Sequence, residues 1–95
     1  MSVGILTLTL YLPECHSLKD KRRHLRPLLA RLHREFNISV VESGHHDLWQ
    51  SSQLTAVCAA QNGAQAKKTL AQVIQFYESR WPDQPITDDS IEILI

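Results

Sequence analysis

The chain has 95 residues and a formal net charge of zero, which bounds it to one domain around one core. Hydrophobic residues make up 43% and charged residues 21%, ordinary for a globular protein, and no apolar run approaches the roughly 18 residues a membrane helix needs. The apolar start lacks the basic flank and cleavage site of a signal peptide, and Cys15 and Cys58 form no CxxC pair, so a cytoplasmic protein with reduced thiols and no membrane partner is expected.

From Val3 to Leu12 the residues alternate. Leu6, Leu8, Leu10 and Leu12 fall on one face, and Ile5, Thr7, Thr9 and Tyr11 on the other, which predicts a strand that Pro13 ends. Ser17 then caps a helix, with Asp20 suited to its positive end. At about 100° per residue, Leu18, Leu25, Leu28, Leu29, Leu32 and Phe36 form one apolar stripe. Lys19, Arg23, Arg26, Arg31 and Arg34 lie opposite. Lys21 falls inside the stripe, so its ammonium is expected to snorkel out near the helix start. Pro27 projects from the solvent side; one helix bent at this proline is expected, with two shorter helices as the alternative.

Asn37–Glu42 reads as a second strand, with Ile38 and Val40 on one face, followed by a turn at Gly44, His45, His46 and Asp47. A third strand is best defined from Leu54 to Ala60, and its alanines suggest close helix packing on one side. Asn62 can cap a second helix, whose stripe is Ala66, Leu70, Val73, Ile74, Tyr77 and Trp81 and which Pro82 stops. Pro85 to Ile95 supplies a last strand, with Ile91, Ile93 and Ile95 alternating against Glu92 and Leu94. The order βαββαβ is the split βαβ motif: an α+β, ferredoxin-like sandwich of a four-stranded antiparallel sheet with two helices on one face. The other face stays open and half-apolar, with Ile5, Thr7, Thr9, Tyr11 and Val57, and invites a second sheet or a partner.

Three stretches also match a known family. Ser17-Leu18-Lys19-Asp20-Lys21-Arg22-Arg23, Phe36-Asn37-Ile38-Ser39-Val40 and Asp47-Leu48-Trp49-Gln50 occur in order and well spaced. On these the chain resembles the YlxP-like family of bacterial proteins, from about Val3 onward. The resemblance implies a ferredoxin-like fold and no defined activity. In some bacteria the family's genes lie beside those of translation initiation and ribosome maturation, which hints at RNA or ribosomal particles. Pro27 and Cys15 depart from the family's pattern.

The neutral total hides an asymmetry. Residues 19–34 hold seven basic residues against one acid, a balance of +6, whereas residues 78–95 hold five acids against Arg80, a balance of −4. The run Lys19, Lys21, Arg22, Arg23 and Arg26 reads either as a phosphate-binding patch or as a solvated helix face. Trp49 and Gln50 could stack on and hydrogen-bond a base, although filling a gap or an interface is the simpler role for Trp49. The two-strand aromatic pattern of RNA-recognition sheets is absent. His45, His46, Asp47 and His16 offer metal-ligating groups, but neighbouring histidines in a strand point apart, and a polar turn explains them more simply. Cys15 beside His16 near a helix start reads as a reactive, uncatalytic thiol. With glycines only at 4, 44 and 63 there is no phosphate loop, and the arginine loop of acylphosphatases is missing. Neither enzyme activity nor a cofactor is expected. Two readings stay open: a module for RNA or a ribosomal particle, and a homodimeric interaction domain paired through the open sheet face.

Overall fold

The alternating leucines set the layer. Leu6, Leu8, Leu10 and Leu12 are all buried, and they anchor the core from β1, which spans Ser2–Tyr11. In this computed structural model, which describes residues 1–95, the chain continues through α1 (Leu18–Glu35), β2 (Ser39–Gly44), β3 (Ser51–Ala60), α2 (Gly63–Arg80) and β4 (Ile86–Leu94). The strands form one antiparallel sheet in the order β2-β3-β1-β4, the ferredoxin-like arrangement. β1 pairs with β3 from Ser2↔Ala60 to Tyr11↔Ser51 and with β4 from Val3↔Leu94 to Leu10↔Ile86.

Both helices bury their stripes on the same sheet face. From α1 come Leu25, Leu28 and Leu32, and from α2 come Ala66, Leu70, Val73 and Tyr77. α1 lies over the β2 side, while α2 crosses β1, β3 and β4. The caps form as expected: Ser17 Oγ accepts from the Asp20 amide at 3.0 Å, and Asn62 Oδ1 from the Gln65 amide at 2.9 Å. Gly4 lets α2 come close, because a Cβ there would sit 2.8 Å from Leu70 Cδ1 and 3.3 Å from Ala66 Cβ. Tyr77 is buried and donates to the Gln84 carbonyl at 2.6 Å; burial pushes its hydroxyl pKa up and holds it as the neutral donor.

Pro27 stays within one continuous α1, so the two-helix alternative is not realised. Pro27 is exposed, as is Arg23, whose carbonyl loses its helical amide partner. Other boundaries move. β2 starts at Ser39 rather than Asn37, although Ile38 is buried just before it. β3 begins at Ser51, three residues earlier than its clearest alternation. β4 ends at Leu94: Ile91 and Ile93 pack against the core, but Ile95 is fully exposed with φ 60° and does not extend the row. The pairing register shifts at Thr87 and Ser43, and the bulge at Thr87 keeps Ile86 opposite Leu10 on the helix-covered side.

Candidate nucleic-acid interface

α1 presents its outer surface because its stripe is committed to the sheet. Lys19, Arg22, Arg23 and Arg26 are all exposed and line one shallow concavity. Arg23 has a loose ion pair with Asp20 at 3.6 Å, whereas Lys19, Arg22 and Arg26 have no carboxylate partner. Further along, Arg31 is tied to Glu35 at 2.8 Å and stacks over Phe76, so it belongs to a different cluster.

Lys21 departs from expectation. It does not snorkel but is 2% exposed, and its Nζ donates to the His45 carbonyl at 2.6 Å, to the Leu48 carbonyl at 2.8 Å and to Glu42 Oε2 at 2.8 Å. The three donors of an ammonium are thereby all used. Ser52, fully buried, donates to the same Glu42 oxygen at 2.7 Å. Lys21 therefore leaves the set of groups free to meet a phosphate and becomes a pin between α1 and the β2–β3 connection.

The pinned connection, residues 45–50, carries the other predicted residues. His45 sits at φ 60°, a left-handed turn conformation, and its Nδ1 shares a hydrogen with Ser51 Oγ at 2.7 Å. His46 Nε2 lies 3.3 Å from the Glu42 carbonyl, so the two imidazoles do not converge. Gln50 Nε2 donates to the Pro13 carbonyl at 3.1 Å, and the Gln50 carbonyl accepts from the Leu12 amide at 2.9 Å. Trp49 fills no gap within the chain: it is 54% exposed, beside an equally exposed Leu48.

Cys15 is not the reactive thiol its position suggests. It is 1% exposed, and burial, with Asp20 and Glu14 adding to it and Lys21 opposing, pushes its thiol pKa up rather than down. Cys58 is buried too, and both thiols are free. Neither is placed to react readily. The signal for Lys21 was present in its position within the stripe and in Glu42, two residues beyond Val40 on the core side of a strand.

The architecture places the chain in the class of ferredoxin-like α+β sandwiches. The chain belongs to the family described as "Protein of unknown function (DUF503)", whose model matches residues 3–89. It is 35% identical over 63 residues to "Uncharacterized protein YlxP" of Bacillus subtilis (strain 168), covering 66% of this chain and 68% of that protein. The family resemblance read from the three short stretches is thus borne out. No helix is long and apolar enough to cross a membrane.

Proposed function

We propose that this protein is a non-enzymatic, cytoplasmic binding module that sets the outer face of α1 against the phosphates of structured RNA or a ribosomal particle. The observation that carries this reading is the side-by-side exposure of Lys19, Arg22, Arg23 and Arg26 around a concavity lined by no acid. Cations clustered this way repel one another, and an anionic partner relieves the repulsion. The enclosure of Cys15, the only thiol with a histidine beside it in the chain, supports binding rather than thiol catalysis. Filter binding to ribosomal RNA tests the reading. With about four phosphate contacts, affinity is expected to fall roughly 50- to 150-fold between 50 and 200 mM salt. Arg22→Gln with Arg26→Gln is expected to reduce the salt slope by about two contacts. Absent binding at low salt, or binding indifferent to salt, removes the proposal.

The open sheet face favours a second reading, a homodimer. Ile5 lies between Val57 and Glu92 in one cross-strand row, and Val41, 58% exposed, extends the apolar area onto β2. Two copies meeting through these faces would cover the valines and isoleucine, with Asp88 and Glu92 left at the β4 rim. Light scattering at tens of micromolar is expected to give twice the monomer mass, and Val57→Lys to halve it. A monomeric wild type overturns the dimer without touching the RNA reading.

A further inference from the structure

We propose that Trp49 and the cationic face of α1 form one continuous track for RNA that offers an unpaired base, with the base stacked on Trp49 and its neighbouring phosphates held from Arg22 onward. The proposal rests on the phosphate reading above and adds the class of RNA. Three adjoining concavities carry it. The first is the cationic one on α1; the second is a groove between α1 and the β2–β3 connection, lined by Arg22, Glu42, His46 and Asp47 among others; the third surrounds Trp49. Arg22 borders the first two and Asp47 the last two, so the three lie in series from helix to tryptophan.

The tryptophan is held outward rather than left loose. Its connection is fixed on one side by Lys21 at the His45 and Leu48 carbonyls, and on the other by the Gln50 contacts to Leu12 and Pro13. A connection whose backbone is fixed before the ligand arrives loses little freedom on binding. The charges set the polarity of the track. Glu42 is neutralised by Lys21, whereas Asp47 has no cationic partner and would repel a phosphate. Phosphates therefore belong on the α1 side of Arg22, and the uncharged ring of a base belongs beyond Asp47, at Trp49. A fully paired duplex keeps its bases stacked and can use only the helix end; a loop or bulge can use both.

The test compares an RNA hairpin with a single-stranded loop against a fully paired duplex of equal phosphate number, by fluorescence anisotropy at fixed low salt. Wild type is expected to bind the looped RNA roughly tenfold more tightly than the duplex. Trp49→Ala is expected to erase that preference while leaving duplex binding unchanged, and Trp49→Phe, which keeps an aromatic face, to retain most of it. Equal binding of both RNAs, unaltered by Trp49→Ala, overturns the track and leaves the phosphate reading standing. Binding of neither RNA overturns both. If Trp49→Ala instead changes only the protein's sedimentation, the tip is a contact between copies and the proposal fails.

Discussion

Lys21→Met is expected to lower the unfolding free energy by about 2–4 kcal/mol. Methionine keeps much of the apolar stem but removes every donor. The His45 and Leu48 carbonyls then lack their side-chain donor, and the Glu42 carboxylate keeps only Ser52. Removing one partner of a buried ion pair costs more than the pair contributes, because the remaining charge stays desolvated. Glu42 is 20% exposed, so water softens part of the penalty, and the lower part of the usual range applies. For a domain this size the melting temperature should drop by roughly 10–20 °C. Adding Glu42→Gln to Lys21→Met should recover part of the loss, since the orphaned charge disappears. A double-mutant cycle by urea denaturation measures this coupling. A Lys21→Met protein as stable as wild type would show that the ammonium contributes nothing to the fold.

Gly4→Val is expected to cost about 2 kcal/mol, although valine is the better strand residue. Two effects oppose each other. Replacing glycine reduces the freedom of the unfolded chain and favours folding by up to about 1 kcal/mol. Against this, the new Cβ arrives 2.8 Å from Leu70 Cδ1, 3.3 Å from Ala66 Cβ and 3.4 Å from Cys58 Sγ. Leu70 can rotate a methyl away, but Ala66 has only a Cβ and cannot yield unless α2 moves. Overpacking of a close-packed site costs about 1–3 kcal/mol, and the two further methyl groups of valine put it at the upper end. Gly4→Ala should lose about 1 kcal/mol, the balance of the same terms. Thermal melts of both variants, ordered glycine, alanine, valine in falling stability, check the argument; a valine variant that matches wild type refutes the close approach.

Periodicity made the fold legible because each element has one buried face and little ambiguity. Leu6, Leu8 and Leu10 alternate strictly, and the stripes of α1 and α2 repeat at helical spacing, so the burial of both on one sheet side follows from hiding apolar area. Strand ends were less legible. The polar residues Ser51 to Gln53 belong to β3 through backbone pairing with β1, which leaves no mark in hydrophobicity. The exposure of Lys19, Arg22, Arg23 and Arg26 on one helix face was legible, but the burial of Lys21 was not. Lys21 shares charge with its neighbours in sequence, whereas its role depends on three acceptors contributed by residues 42, 45 and 48, on a different element. Of the two simpler roles for Trp49, a gap within the chain and an interface, its exposure removes the first, and composition alone cannot tell an outward aromatic from one turned in.

The central place of β1 has a kinetic consequence. Val3 pairs with Ala59 on one side and Leu94 on the other, so both partners of the first strand are made long after it. During synthesis its leucine row has no sheet to join until β3 emerges, and the second edge closes only with β4. Such distant pairings carry a large loop-closure cost and slow the search for the native state. Refolding is therefore expected to be slower than that of a helical bundle of the same length, as stopped-flow fluorescence would measure.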